Sequence, residues 1–329
     1  MSVKARPGED SLIARFFAPI AGEGALNLKD DAACLTPKPG HDLVLTADAL
    51  VERVHFLPED APGSIARKAL GVNVSDLAAK GATPAGFLLS LALPDDWTEA
   101  WLAGFAAGLG EASRDFACPL LGGDTVKARG PLTLSVTAVG QVPTGRMVLR
   151  TTAKAGDLLC VTGTIGDAAL GLKLRSSPAW AEALLPDEKA HLADRYLHPR
   201  PRYRLAAALR EHASAAMDVS DGLAGDLAKM MRASGVSAMV ETDQVPLSAA
   251  AAKAVRTSPD LLDLALTGGD DYEILCSVPE KNLDSFRKEA DRVGVALSVI
   301  GRVVPGDDRP VFRMNGLERR YDVGSYQHF

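Results

Sequence analysis

The sequence predicts an α/β fold arranged as two domains. Strand-like and helix-like segments alternate in both halves of the chain, which is the pattern of layered α/β proteins. The 329 residues exceed the size of one typical domain. A turn-rich stretch near the middle, at 143–157, contains Pro143, Gly145 and Gly156. We therefore expect one domain over residues 1–146 and a second over residues 147–329.

Apolar runs and helix-end residues define the elements of the first half. Gly8, Glu9 and Asp10 precede the first apolar helical run, and Gly81 and Pro84 follow the second, where they typically end a helix. The expected elements are helices at 12–17, 65–80 and 97–113, and strands at 43–48, 87–93, 120–121 and 132–142.

The second half repeats the alternation. Its expected elements are strands at 158–161, 215–217, 272–278 and 296–303, and helices at 168–174, 202–212, 223–234 and 281–293. The glycines of the segment 162–167 suggest a phosphate-binding loop. We discount that interpretation because no Lys-Ser/Thr pair follows, and a strand–turn–helix junction needs glycines in any case.

Composition narrows the classes of partner. The net charge is −6 and no basic stripe is present, which argues against nucleic acid or an anionic membrane as partner. The four cysteines are widely spaced without a CxxC pair, so we expect buried thiols in a reducing compartment. The first residues lack the apolar core of a signal peptide. A cytoplasmic location is the expectation.

Acidic residues in turns, or at the ends of elements, are the main chemical feature. Asp48 is expected to end a strand, Asp124 follows two glycines, and Asp218 is expected to end another strand. The acidic positions are Asp30, Asp31, Asp48, Asp76, Asp124, Asp218, Asp221, Asp270 and Asp271. Carboxylates gathered at one site repel each other unless cations lie between them, and Mg²⁺ prefers such oxygen ligands. If they are not gathered, they are ordinary turn aspartates.

Two of these acids have competing explanations. Asp76 and Lys80 form an i,i+4 pair on the predicted helix, but Asn73 lies one turn earlier on the same face, so Asn73 and Asp76 also suit a metal. Ser220 or Asp221 is expected to cap the following helix. Capping does not account for Asp218. A metal-bridged phosphate at that helix N-terminus is the alternative.

Together these segments resemble the thiamine-monophosphate kinase family, over nearly the whole chain. The matching segments are 8–13, 29–33, 46–48, 51–56, 68–79, 121–125, 216–223, 267–273 and 326–329. No P-loop, G-x-G-x-x-G or protein-kinase motif is present. The family belongs to a superfamily that includes aminoimidazole ribonucleotide synthetase.

The resemblance implies a fold and a reaction. The implied fold has two domains of the α/β (α+β) class. The N-terminal domains of two subunits form a β-barrel across a homodimer. ATP lies in the cleft between the domains. The reaction is ATP-dependent phosphorylation of thiamine monophosphate to thiamine diphosphate, the last step of thiamine diphosphate biosynthesis. Another ATP-dependent synthetase of the same superfamily is the alternative.

The resemblance also implies site residues. Several Mg²⁺ ions are held by side chains or, at Ala47, by the backbone: Asp31, Thr46, Ala47, Asp48, Asp76, Asp124, Asp218 and Asp221. ATP contacts are Gly123, Asp124, Arg150 and Ser220. Thiamine monophosphate contacts are His55, Asp270 and a tail position, Val323 or Tyr326. No residue is implied as a catalytic acid, base or nucleophile, because metal ions and electrostatics carry the transfer.

Overall fold

The computed structural model describes residues 8–321, and the chain divides into two compact units. Unit 1 runs from the N-terminal side up to Leu77 and continues over Thr83–Thr144. Unit 2 combines Ala78–Ala82 with the chain from Gly145 onward. Each unit contains helices and its own β-sheet.

Unit 1 is built around four strands. Its elements, in order, are α1 (Glu9–Leu12), a π-helical turn (Ile13–Phe17), 3₁₀ segments (Ala18–Ile20 and Glu23–Leu28), β1 (His41–Val51), α2 (Pro62–Ala79), β2 (Thr83–Leu93), α3 (Glu99–Asp115), β3 (Leu120–Lys127) and β4 (Thr133–Pro143). The last two residues of α2 count with unit 2. Residues of β4 alternate between buried and half-buried, as expected for a strand whose side chains point to opposite faces.

The sheet of unit 1 is open. Its strand order is β1-β4-β2-β3, with β1–β4 and β4–β2 antiparallel and β2–β3 parallel. Strands β1 and β3 are therefore its two edges, and the sheet does not close on itself in one chain. Four large apolar side chains on one face of this sheet are exposed: Leu43, Leu45, Leu88 and Val126.

Unit 2 contains a longer alternation of elements. They are β5 (Leu158–Thr162), α4 (Asp167–Leu174), a 3₁₀ segment (Ala179–Ala183), α5 (Pro186–Leu197), a 3₁₀ turn (Tyr203–Leu205), α6 (Ala206–His212), β6 (Ala215–Asp218), α7 (Leu223–Ser234), β7 (Ser237–Glu241), a 3₁₀ turn (Thr242–Gln244), α8 (Ala249–Thr257), α9 (Leu261–Thr267), β8 (Ile274–Val278), a 3₁₀ turn (Glu280–Asn282), α10 (Leu283–Arg292), β9 (Leu297–Val304), β10 (Val311–Met314) and β11 (Leu317–Arg319).

The seven-stranded sheet of unit 2 has buried clusters on both faces. Its order is β11-β10-β7-β9-β5-β8-β6. From the fully buried strand β5, Leu159 belongs to one cluster, together with Leu227 of α7. Its neighbour Cys160 belongs to the other, together with Phe286 of α10. Successive residues of a strand point to opposite faces, so helices cover both sides, and the predicted α/β class is confirmed.

Three local predictions are wrong. Asp48 lies inside β1 and does not end it. Gly122, Gly123 and Asp124 form the middle of β3, not a turn. Helix α7 has Gly222 as its N-cap, and neither Ser220 nor Asp221 caps it.

Other features of the fold were not predicted. Helices α5, α8 and α9 and strands β7, β10 and β11 have no counterpart among the predicted elements. Cys118, Cys160 and Cys276 are buried as expected, but Cys34 is exposed. Among residues 8–321, no helix has the length and apolarity needed to cross a membrane.

Candidate active site

In unit 1, a hydrogen-bonded group joins β1 to α2. The Thr46 hydroxyl donates to Asp76 Oδ2 at 2.5 Å. The Asp48 backbone N–H donates to Asn73 Oδ1 at 3.1 Å, and Asn73 Nδ2 donates to the carbonyl of Ala69 at 3.0 Å. Asn73 is fully buried, and its amide fixes the backbone of Asp48. The structure thus brings Thr46, Asp48 and Asp76 together.

His55 is held by its own turn. Its Nδ1 accepts the backbone N–H of Val51 at 3.0 Å, so in the neutral ring the proton is on Nε2. Lys68, which is almost completely buried, donates from Nζ to the His55 carbonyl at 3.0 Å. Lys68 was not among the predicted site residues. The signal in the sequence was a lysine within an apolar helical stretch. A lysine that is buried there needs a partner for its ammonium group.

Three more of the predicted residues of unit 1 are exposed. Asp31 is exposed in a bend, with its N–H donated to Asp30 Oδ1 at 2.8 Å. Ala47 lies between Thr46 and Asp48 and is exposed. Asp124 is exposed on β3, opposite Ser90 of β2, whereas Asp48 is on β1, at the other edge of the sheet.

Gly123 has a backbone that only glycine adopts readily here. Its φ is +154°, and a Cβ atom would lie 1.8 Å from the carbonyl oxygen of Leu89. The close approach of β3 to β2 therefore requires glycine at this position.

In unit 2, two segments that carry predicted site residues pair with each other. The N–H of Asp270 donates to the Ser220 carbonyl at 2.9 Å, and the N–H of Tyr272 donates to the Val219 carbonyl at 2.8 Å. In return, the N–H of Val219 donates to the Glu273 carbonyl at 2.8 Å. These bonds bring the Asp218–Asp221 segment beside Asp270, whose φ is +74°. A left-handed conformation at a non-glycine residue is uncommon and tends to mark functional sites.

Asp226 occupies the backbone donors that precede α7. Its Oδ2 accepts the N–H groups of Ser220 at 3.0 Å and Asp221 at 2.9 Å. Lys229 Nζ donates to Asp226 Oδ1 at 2.9 Å and also to the carboxylate of Asp221. Burial alone would lower the pKa of Lys229, but the hydrogen bond to Asp221 and the charge of Asp226 outweigh it and raise the pKa. A fully buried carboxylate therefore holds the N–H groups of Ser220 and Asp221.

A buried charged cluster supports the 270–273 segment. Glu273, which is fully buried, accepts Arg195 Nη2 at 2.9 Å, Arg202 Nε at 2.6 Å and the Thr162 hydroxyl at 2.7 Å. Arg195 is 2% exposed and also donates from Nη2 to the carbonyl of Asp271 at 3.1 Å. Within residues 8–321, Arg195 Nη1 has no hydrogen-bond partner. This cluster was not predicted from the sequence.

The carboxylate of Asp271 ties the same segment to the start of α4. It accepts the N–H of Gly166 at 2.7 Å, and burial raises its pKa well above the usual value. Asp167 accepts the hydroxyl of Thr164 at 2.6 Å. The glycine-rich 162–167 segment is thus bonded both within itself and to Asp271.

The remaining predicted ligand contacts are Arg150 and a tail position. Arg150 is exposed in a turn, where its carbonyl accepts the hydroxyl of Ser234 at 3.1 Å. Its guanidinium makes no hydrogen bond or ion pair with the described part of the chain. Val323 and Tyr326 lie outside the described residues.

The donor chemistry of the predicted ligands fits hard cations. The predicted ligands offer carboxylate, hydroxyl and backbone carbonyl oxygens, which are the donors that Mg²⁺ prefers. Over residues 8–321, no cluster of three or more His, Cys, Asp or Glu side chains is arranged to hold a metal ion. Within unit 1, Thr46, Asp48 and Asp76 form one group of oxygen donors, and within unit 2 Asp218 and Asp221 lie on one segment.

Comparison with known proteins identifies the family. Residues 29–142 match the family described as AIR synthase related protein, N-terminal domain, and residues 154–312 match its C-terminal domain. The thiamine-monophosphate kinase of Caulobacter vibrioides is 44% identical over 92% of this chain and 86% of its own length. The chain belongs to the thiamine-monophosphate kinase family.

Solved structures of family members agree. The thiamine-monophosphate kinase from Stenotrophomonas maltophilia has a TM-score of 0.79 at 40% identity, covering 88% of this chain and 90% of that one. The complex described as AaThiL with AMPPCP and TMP has a TM-score of 0.78 at 30% identity, and all of both chains is covered. The two-domain architecture predicted from the resemblance is therefore that of the family.

Proposed function

We propose that this chain transfers the γ-phosphoryl group of ATP to thiamine monophosphate, giving ADP and thiamine diphosphate. The observation that carries the proposal is full-length similarity to AaThiL, which was solved with AMPPCP and TMP. The local geometry supports it, because Asp218, Ser220, Asp221 and Asp270 are held on two hydrogen-bonded segments.

The metal ligands are drawn from both units. Asp31, Asp48, Asp76 and Asp124 of unit 1, with Thr46 and the Ala47 carbonyl, and Asp218 and Asp221 of unit 2 would hold several Mg²⁺ ions. Bound Mg²⁺ supplies charge neutralisation between the two phosphate groups, whose negative charges otherwise repel. The ion pair with Lys229 orients the Asp221 carboxylate before it binds metal.

The nucleotide and the acceptor use different side chains. Gly123, Asp124, Arg150 and Ser220 contact ATP in this proposal, and the exposed guanidinium of Arg150 is suited to phosphate oxygens. His55, Asp270 and a tail residue, Val323 or Tyr326, contact thiamine monophosphate. His55 Nδ1 accepts the Val51 N–H, so the neutral ring has its proton on Nε2.

The predicted site residues are suited to positioning the two phosphate groups for transfer. The acceptor phosphate is largely deprotonated near neutral pH, so no strong general base is required. Transfer is direct and in line, without a phosphoenzyme, and its rate comes from alignment and electrostatics. Rapid-quench experiments that trapped a covalent phosphoprotein on the catalytic timescale would contradict this.

The assembly is part of the proposal. Residues 1–146 act as the dimerisation and metal-binding domain, and residues 147–329 complete the ATP and substrate site. Two copies join their unit 1 sheets into a β-barrel, which would use the open edges β1 and β3. Four unpaired cysteines are consistent with work in the reducing cytoplasm.

The test is incubation with ATP, Mg²⁺ and thiamine monophosphate, followed by separation of the thiamine phosphates. We expect thiamine diphosphate and ADP in equal amounts. Asp76→Asn should lower kcat by at least about 100-fold with an unchanged circular dichroism spectrum, because it removes a metal carboxylate. Asp96→Asn, at an exposed turn outside the site, is the matched control. Free phosphate without thiamine diphosphate would favour the synthetase alternative.

A further inference from the structure

Asp226, in the first turn of α7, is a charged side chain among apolar ones. It is fully buried, and its neighbours on the helix, Leu223, Ala224 and Leu227, belong to the apolar core of unit 2. A carboxylate in such a place costs free energy unless hydrogen bonds and an opposite charge compensate it. The compensating groups are the loop that precedes α7 and the ammonium of Lys229.

Asp226 fixes the backbone of that loop, which contains two predicted ligand contacts, Ser220 and Asp221. Its Oδ2 accepts the N–H of Ser220 at 3.0 Å and the N–H of Asp221 at 2.9 Å. From the neighbouring segment, Asp270 donates its own N–H to the Ser220 carbonyl at 2.9 Å. The loop is therefore held on both sides, and its backbone conformation is set before a ligand binds.

Asp226 also anchors the cation that holds the Asp221 side chain. Lys229 Nζ donates to Asp226 Oδ1 at 2.9 Å and to Asp221 Oδ2. If the ammonium moved away, a buried carboxylate would lose its opposite charge, so the ammonium is kept in place. Within residues 8–321, Asp221 Oδ1 accepts no hydrogen bond. One oxygen of this carboxylate is thus held, and the other is available to a cation.

We infer that Asp226 is the positioning residue of the 220–221 loop, and that it sets the Ser220 hydroxyl for ATP and the Asp221 carboxylate for metal without touching either ligand. The inference rests on the proposed function, in which Ser220 contacts ATP and Asp221 binds Mg²⁺, and it adds the residue through which both are held. Residues that hydrogen-bond to metal ligands orient them, and their loss typically lowers metal affinity about 10–100-fold.

Two double variants test the inference at constant net charge, because the Asp226–Lys229 pair is neutral as a whole. Asp226→Ala with Lys229→Met removes the bonds to the loop and to Asp221. Asp226→Asn with Lys229→Met keeps an oxygen that can accept the two N–H groups. The dissociation constant for Mn²⁺ with a nonhydrolysable ATP analogue is measured by electron paramagnetic resonance. We expect it to rise about 10–100-fold in the alanine variant and to rise less in the asparagine variant.

The matched control is another ion pair of unit 2, between Glu188 and Lys253. Lys253 Nζ donates to Glu188 Oε2 at 2.7 Å, and the side chains of Lys253 and Lys229 are 30% and 31% exposed. Glu188→Ala with Lys253→Met also removes an ion pair at constant net charge, but it should leave the dissociation constant unchanged. Circular dichroism verifies that each variant is folded at the temperature of the binding measurement.

Wild-type affinity in the folded alanine variant would overturn the inference, and so would equal affinities of the alanine and asparagine variants. If the alanine variant does not fold, the asparagine variant decides. It should bind Mn²⁺ and the nucleotide more weakly than the wild type, because Lys229 no longer holds Asp221, and unchanged binding would refute the role of Asp226. The measurement contains no acceptor. A wild-type protein that binds the nucleotide but forms no thiamine diphosphate would therefore contradict the proposed reaction and leave this inference standing.

Discussion

At the scale of single residues, the buried ion cluster under the 270–273 segment stands out. Glu273 is the common acceptor for Arg195, Arg202 and Thr162. Removing one partner from a buried ion pair is costly, because the other charge remains in a place that water does not reach. The cluster anchors the segment that contains Asp270 and Tyr272, both of which have positive φ angles.

Glu273→Gln should lower the free energy of unfolding by about 3–5 kcal/mol, because Arg195 would keep its charge without a carboxylate partner. Chemical denaturation followed by circular dichroism measures this. Glu280→Gln is the matched control. Its pair with Arg302 is exposed, with side-chain exposures of 70% and 46%, and such surface pairs contribute little. Equal stability of the two variants would show that the buried cluster is not a stabilising element.

Sequence reasoning singled out acidic residues but not their hydrogen-bond partners. The segments 122–124 and 268–271 can be found from the sequence, because in each of them a pair of glycines precedes aspartate. Asp226 was not noticed, although it binds the N–H groups of Ser220 and Asp221. Its position inside a helix looks ordinary in the sequence. Its role depends on the path of the preceding loop, which tertiary structure determines.

At the scale of elements, β3 shows why a glycine pair misled the prediction. Glycine is depleted in strands, so the 122–124 segment was read as a turn. In the structure it is a parallel edge strand that lies very close to β2. Glycine is required there by the close approach of the neighbouring backbone. Helices with clear end signals were located well: α2 and α3 lie within three residues of the predicted ranges.

Gly123→Ala should disrupt the β2–β3 pairing, since its Cβ would lie 1.8 Å from the Leu89 carbonyl oxygen at a φ of +154°. We expect a melting temperature lower by several degrees, at about 2–4 °C per kcal/mol for a domain of this size, together with loss of kinase activity. Thermal unfolding by circular dichroism is the measurement. Gly130→Ala, where no atom lies within 4 Å of the added Cβ, should melt like the wild type. A normal melting temperature for Gly123→Ala would argue against this backbone geometry.

At the scale of the whole molecule, the four cysteines differ in burial and therefore in the reactivity of their thiols. Cys118 follows α3, while Cys160 and Cys276 face each other across β5 and β8. Burial raises the pKa of Cys118 and of Cys160 to about 12, and it raises that of Cys276 as well. Only a thiolate reacts rapidly with a disulfide reagent. Cys34 alone is exposed.

A thiol-reactive disulfide dye at pH 8 should therefore label one cysteine per native chain quickly, and four after unfolding in denaturant. Absorbance of the released dye gives the count. Cys34→Ser should remove the rapid phase entirely and leave three thiols in the unfolded chain. Rapid labelling of two or more cysteines in the native protein would mean that the interior opens more easily than the structure implies.

The assignment of Ala78–Ala82 to unit 2 has a consequence for any attempt to cut this protein in two. Lys80 Nζ donates to the Ala216 carbonyl at 2.7 Å, and the Val148 N–H donates to the Lys80 carbonyl at 3.1 Å. A fragment beginning at residue 147 would lack this five-residue insert and leave part of its own interior uncovered. A C-terminal fragment cut at residue 147 should therefore aggregate, because five residues of unit 2, Ala78–Ala82, lie within the sequence of unit 1.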